Sequence, residues 1–505
     1  MRRPNRQMVL AMVLAMAGIA DATVWYVPSP GHRTIQQAID DQAVLDGDTI
    51  VVWGEGTPPF TYDAINYNGK GLFIVNRSYY EDMGPNYPPN PFWTQIKGNG
   101  SSVVTITNLH SRTTATLKGF TVVNGNSTDG GGIYCFANTV CGIVIQSDSI
   151  VENHASLFGG GVYFEGQGDG VFFLMRNCVV MNNHAVGYGG GVFSAQDAAV
   201  AETLECNRVA SNDARYMGGG VCLFGWPAPH VRGSLLAGNT ISDNHLSDNS
   251  NPEGAGLYAA GWPNKARHNV ITHNIPNGVH TMWNDDISSL IDLGTAEDPG
   301  YNVLAWNQDP SGNELDLTID GDDHDEQFAV GNYWGTLGSS QIRSHIEFEG
   351  QMVQERFHLD PIAASGRYFD VVENSYCTTG VIVTGDVSVQ FPATLTLGHG
   401  ITVQCLTTTD YSAPGGDPGK NDLIVRSGAE LSAYGWPGQR ITFTSYRQNE
   451  PPMPGAWYGI RIQNDASGYF NECNVNSGSS ASRLATTQIC LSNTLRLIRI
   501  RWPAS

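Results

Sequence analysis

Gly159-Gly160-Gly161-Val162-Tyr163-Phe164 (GGGVYF) is one member of a series. GGGIY begins at Gly130, GGGVF at Gly189, GGGVC at Gly218 and a degenerate GAGLY at Gly254, so successive starts lie 29, 30, 29 and 36 residues apart. A second element keeps step with the first: Asn153-His154, Asn183-His184, Asn212-Asp213, Asn244-His245 and, inverted, His273-Asn274. Each ends a short β-rich run, in turn SIVEN, VVMNN, RVASN, TISDN and VITHN. Short apolar runs punctuated by Gly and Asn predict strands and turns, with no 3.6-residue period long enough for a helix.

A unit of about 30 residues built this way cannot bury an apolar face alone. Stacked on its neighbours with strands in parallel, it shares a continuous core, which predicts a β-solenoid. Asn at the same turn of successive coils then forms a ladder, each amide bonding the next at about 4.8 Å. Glycine turns the corners, because it takes positive φ without steric cost. A propeller fits less well, since its blades run to about 40–45 residues.

Upstream of the repeats stand Trp25-Tyr26-Val27-Pro28, then Thr34-Ile35-Gln36-Gln37-Ala38-Ile39-Asp40, then Asp46-Gly47-Asp48-Thr49-Ile50-Val51-Val52. Downstream stands Asn332-Tyr333-Trp334-Gly335. These segments resemble the right-handed parallel β-helix proteins of the pectin-lyase-like fold. The resemblance implies an all-β, right-handed parallel β-helix in which residues 34–40 form a short N-terminal capping helix. Thr34 suits its N-cap, and Ile35, Ala38 and Ile39 form an apolar stripe that would cover the terminal strand edge. Residues 23–110 are then the cap and first coils, and 111–362 the repeats, ending near Asn332–Gly335. Residues 363–478 read as a second, shorter β-helical segment, with a protruding loop at 407–421. From Cys473 onward acidic residues cease while Arg483, Arg496, Arg499 and Arg501 accumulate. Residues 479–505 therefore read as an atypical basic tail, expected where a coil stack is truncated or a reading frame shifts.

The 505-residue chain carries 27 Lys+Arg against 48 Asp+Glu, a formal charge of −21. Nucleic acid is excluded as a partner, because phosphate binding requires basic patches. Its 59 Gly lack a period of three, which excludes collagen, and 41% apolar residues suffice for a core. Residues 1–22 read as a signal peptide: Arg2, Arg3 and Arg6, the apolar run 8–17, then Ala20-Asp21-Ala22 before a cleavage at Thr23. No other stretch approaches 18 apolar residues, so no membrane span is expected after cleavage. The protein is expected outside the cytoplasm: extracellular, at the cell surface or periplasmic. Nine Cys without C-x-x-C spacing argue against both a disulfide framework and a structural zinc site. Cys135 and Cys141 are near enough to pair, or serve as small buried side chains.

Two features carry the candidate chemistry. Gly-Trp-Pro recurs, with Trp226 and Trp262 separated by 36 residues, the last repeat offset. Aligned on neighbouring coils, these indoles would form a stacking platform for sugar rings, whereas in isolation each packs on its own proline. Asp320, Asp322, Asp323 and Asp325 lie in an acidic run that offers hard oxygen ligands for Ca2+ or stands as a solvated loop. Two weaker readings concern histidines and cations. His154, His184 and His245 would form a metal row if their nitrogens converged. Arg215, Arg232, Lys265 and Arg267 are the charge-stabilising candidates for a polysaccharide lyase, one of the activities the resemblance implies. Without a convergent acid–base set, the leading expectation is a non-catalytic surface or secreted protein that binds a polysaccharide, cell-surface glycan or other partner. A polysaccharide lyase or other carbohydrate-active enzyme is the alternative, and periplasmic metal handling a third.

Overall fold

The computed structural model describes residues 22–53, 59–81, 90–196, 199–225, 233–248, 253–261, 263–282, 290–321, 325–335, 339–350, 356–359, 370–371, 375–377, 381–383, 387–406, 422–435, 439–446, 459–463 and 465–475. It is all-β, built on long parallel sheets and consistent with a β-solenoid. Two compact units divide it: Met1–Met175 with Val179–Glu202 and Gly225–Arg232, and Arg176–Cys178 with Thr203–Phe224 and Gly233–Ser505.

In the first unit successive turns of chain give a strand to each of three long sheets, and the later turns add one to a fourth, Asn126–Asp129, His154–Phe158 and His184–Ala185. One sheet runs Val24–Val27, Thr49–Val52, Phe73–Asn76, Thr114–Lys118, Gly142–Gln146; another runs Phe60–Asp63, Thr94–Lys97, Thr121–Val123, Ser149–Val151, Val179–Met181. The third runs Ile65–Asn66, Val104–Thr107, Ile133–Ala137, Val162–Gly166, Val192–Gln196. Register places like on like: Ile96, Val122, Ile150 and Val180 form one buried column, and Val104, Ile133, Val162 and Val192 another. The repeat length is thus the length of one coil, and each buried aliphatic side chain contributes about 2 kcal/mol.

The helix Ile35–Asp40 is present, with Thr34 accepting from the Gln37 N–H in a capping box and Ile35, Ala38 and Ile39 fully buried. The Asp46-Gly47-Asp48 turn ties down the strand Val24–Val27 and the Gly71 backbone. Asp48 accepts from the Thr23 N–H and the Trp25 indole, and Asp46 from the Gly71 N–H.

Within the glycine triplets only the first residue has positive φ, from 59° to 67° at Gly130, Gly159, Gly189, Gly218 and Gly254. The other two are needed for closeness. A Cβ on Gly160 would meet the Gly190 carbonyl oxygen at 2.5 Å, and one on Gly220 would meet the Asn244 side-chain amide at 2.8 Å.

One row of corners is turned by non-glycine residues. Glu152 and Asn182 in the first unit, and Ser211, Asp243, His273 and Trp306 in the second, all have φ between 54° and 61°. Each is followed by a buried Asn: 153, 183, 212, 244, 274 and 307. The left-handed conformation costs about 1 kcal/mol per residue, and the ladder offsets it. At Asn244, Oδ1 accepts from the Asn212 N–H and Nδ2 at 3.0 and 3.1 Å, while Nδ2 donates to the Val209 carbonyl and to Asn274 Oδ1 at 3.1 and 2.9 Å. Asn274 bonds Asn307 in the same way, and in the first unit Asn153 bonds Asn183. A second column, five residues earlier in each coil, links Asn207, Asn239, Asn269, Asn302 and Asn332. Asn332 of Asn-Tyr-Trp-Gly is therefore a ladder rung, and Tyr333 and Trp334 are core.

The second unit also contains a stack of three four-stranded parallel sheets between Asp370 and Val475. Its strands Val387–Val389, Thr394–Leu397 and Thr402–Leu406 are followed in register by Asp422–Val425, Glu430–Tyr434 and Ile441–Tyr446. The expected loop at 407–421 lies outside the described residues. Cys135 and Cys141 are both buried free thiols. Among the described residues no helix is long and apolar enough to cross a membrane.

Candidate functional site

In the second unit the strands Leu257–Ala260, Val279–Met282, Leu317–Gly321 and Ile346–Gly350 lie side by side in parallel. Alternation turns Val279, Thr281, Leu317 and Ile319 to one face and His280, Met282, Thr318 and Asp320 to the other. Register sets Met282 beside Asp320 and Asp320 beside Glu349, with His280 two residues before Met282. One nitrogen of His280 and one oxygen each of Asp320 and Glu349 lie within 4.8 Å of one another. His280 is buried and stacked obliquely on Tyr258, whose hydroxyl donates to Met282 Sδ at 3.0 Å. Glu349 is exposed and Asp320 half-buried, so the group opens to solvent on its acidic side.

The electrostatics favour a cation. Burial raises the Asp320 carboxyl pKa. Burial, then Glu347 and Asp320, raise that of Glu349. Glu253 is pushed up to about 7 by burial and by the charges of Glu349 and Asp320. Besides burial, Glu349 and Glu253 are raised by the charges of neighbouring carboxylates, and a divalent ion relieves such repulsion. A mixed nitrogen and oxygen donor set suits Mn2+ or Zn2+ better than Ca2+, which takes oxygen ligands.

Of the predicted cation ligands, Asp320 joins this group and Asp325 is buried elsewhere in the chain, while Asp322 and Asp323 lie outside the described residues. Trp226 and Trp262 also lie outside them. His154 and His184 stack face to face, ring centres 5.1 Å apart, which keeps their in-plane lone pairs from converging on an ion.

No family model, curated protein or solved structure matches this chain.

The lyase candidates are engaged with carboxylates. Arg267 is buried and donates to Asp292 and Asp298 at 2.7 and 2.9 Å; Lys265 lies 3.4 Å from Asp292. Arg215 lies 3.7 Å from Asp248 and over the Tyr216 ring, and Arg232 is outside the described residues. Burial would raise the Asp298 pKa, but the Arg267 hydrogen bond and charge outweigh it, so the net shift is downward.

His280, Glu253 and Glu349 were not singled out from sequence. Val-His-Thr-Met does show a polar residue alternating within a strand, but which carboxylates face it depends on register between coils of unequal length.

Proposed function

We propose that this protein is an exported, non-catalytic right-handed parallel β-helix that binds a glycan through a divalent cation. The observation that carries this reading is the group of His280, Asp320 and Glu349, open to solvent on its acidic side, with both carboxyls raised in pKa. An acidic polysaccharide is the ligand class. A chain of charge −21 repels polyanions, and a bound cation converts that repulsion into a bridge. The helix Ile35–Asp40 serves as the cap of the stack, and Trp226 and Trp262 as platforms for sugar rings. Lipid attachment and a membrane span play no part in this proposal.

A polysaccharide lyase is the second reading. The convergence of Lys265 and Arg267 with Asp292 and Asp298 favours it, because removing a proton beside a uronate needs a base next to a cation. It ranks second because the Arg267 donors are already engaged and a carboxyl held low is a weak base.

Chelator-treated protein on an array of acidic and neutral glycans, with Ca2+ or Mn2+ restored, tests both readings. Cation-dependent retention of acidic glycans, weakened at least tenfold by Asp320→Asn, is expected. Unsaturated uronate products would replace this reading with the lyase, and retention that is absent or indifferent to cations would overturn it.

A further inference from the structure

The column that ends in Asp316 holds a second donor cluster, with Asp316 four residues before Asp320 and His345 four before Glu349. Gly220, Gly256 and Gly278 occupy equivalent positions, each immediately before a strand of the parallel sheet. Each must lack a side chain, because a Cβ would come within 2.8, 2.8 and 2.5 Å of the amide nitrogen of Asn244, Asn274 and Asn307. One coil further, that position is Asp316, and one further still it is His345, as the register of Leu317 with Ile346 dictates. Asp316 takes over as the last rung: its Oδ1 accepts from the Asn307 N–H and Nδ2 at 3.1 and 2.9 Å.

Only one carboxylate oxygen is used by the ladder. Asp316 has no solvent exposure, and its Oδ2 has no hydrogen-bond partner. That atom points at His345 Nδ1, 3.3 Å away but without hydrogen-bond geometry, and His345 Nε2 lies 3.5 Å from Glu314 Oε2. Glu314 holds its place by accepting from the Trp306 N–H through Oε1. One donor atom from each of Glu314, Asp316 and His345 lies within 4.8 Å of the others. A buried carboxylate oxygen without a donor calls for an ion or a water.

We propose that Glu314, Asp316 and His345 form a binding site for a divalent transition-metal ion of the zinc class, which closes the asparagine ladder. One imidazole nitrogen and two carboxylate oxygens suit Zn2+ and leave a fourth position for water. Tetrahedral Zn–N and Zn–O bonds of about 2.1 Å place donors about 3.4 Å apart. One ring nitrogen of His345 takes the ion, and the three donor atoms, within 4.8 Å of one another, close onto it by up to about 1.4 Å, a movement that partly exposed Glu314 can make by side-chain rotation. Its exposure also provides the route of entry. Ca2+ is disfavoured, because it takes six to eight oxygen ligands and this pocket offers one nitrogen and two carboxylates.

The ladder supplies the control variant. An amide at 316 would accept from Asn307 as the other rungs do, so Asp316→Asn should fold while losing the metal. The experiment uses the full chain carrying Asp320→Asn, which removes the strand-face group from the titration. Zn2+ added to the chelator-treated protein should bind one ion per chain and raise Tm, whereas Ca2+ should do neither. Adding Asp316→Asn or His345→Gln should weaken Zn2+ binding at least tenfold with the far-ultraviolet spectrum unchanged. Zn2+ that neither binds nor stabilises the Asp320→Asn protein would overturn the proposal, as would binding that survives Asp316→Asn. In the first case His345 serves only as a counter-charge between two carboxylates.

Discussion

The coils that carry residues 207–332 and the stack between Asp370 and Val475 reach parallel pairing by different means. In the former, two columns of buried Asn run through the corners, and each rung satisfies its own polar atoms with those of the next. In the latter, the interior is aliphatic, with Val387, Leu395, Val403, Leu423, Leu431, Ile441 and Phe443 in one cluster. Among its described residues no Asn bonds the Asn of the next coil. Rungs Asn212, Asn244, Asn274 and Asn307 are 32, 30 and 33 residues apart, yet the ladder geometry hardly changes. A ladder thus pins the corner and pushes variation in coil length into the intervening segments. An aliphatic interior supplies cohesion without marking any corner.

The largest effect is expected from breaking a rung. Asn244→Ala removes the acceptor shared by the Asn212 N–H and Nδ2 and the side-chain bonds from Asn244 to Val209 and Asn274. A loss of about 4 kcal/mol follows, since buried unsatisfied donors cost about 1–3 kcal/mol each. Urea unfolding measures it, and a loss under about 1 kcal/mol would show that the ladder is ornamental. Leu431→Ala in the aliphatic stack should cost about 3 kcal/mol through its cavity. Because that cost depends on apolar contact, it should be largely recovered by Met, whereas Gln should not recover the Asn244 loss, its extra methylene displacing the amide from both neighbours.

The third effect is read as a slope, smaller per pH unit than the loss from either substitution, and concerns charge at a ladder-like corner. Asp148 accepts from the Phe120 N–H at 2.7 Å and the Gln146 N–H at 3.2 Å, but burial outweighs those bonds and pushes its carboxyl up to about 8. An unfolded aspartate titrates near pH 4. Between about pH 4 and 8 the folded chain therefore holds a proton that the unfolded chain has released, so this residue makes stability fall as pH rises. The slope is at most about 1.4 kcal/mol per pH unit. Asp148→Asn should remove that component, making the fall of Tm across this window shallower than in the wild type. An unchanged profile would show that Asp148 is ionised throughout.

Much of the fold was legible because a solenoid repeats its chemistry once per coil. The Asn153, Asn183, Asn212, Asn244 and Asn274 row was visible and forms buried rungs. The second row was equally visible as Asn-x4-Asn at 207/212, 239/244, 269/274 and 302/307, but it carries no glycine triplet to draw attention. The role of glycine was read only in part. Positive φ explains Gly159, whereas Gly160 and Gly161 are there because neighbouring backbones pass too close for a Cβ.

Residue identity alone determined the coil length, the strand positions, the helix with its Thr34 cap and the parallel stacking. All four depend on local preference repeated at a fixed period, and a periodic signal survives in one dimension. Tertiary structure decided which donors meet. His280, Asp320 and Glu349 belong to successive strands whose separations, 40 and 29 residues, are unequal. Asp316 became a rung only because the glycine column ended there. Convergence of this kind depends on register across coils of unequal length, and register is set by packing over the whole stack rather than by any segment of the chain.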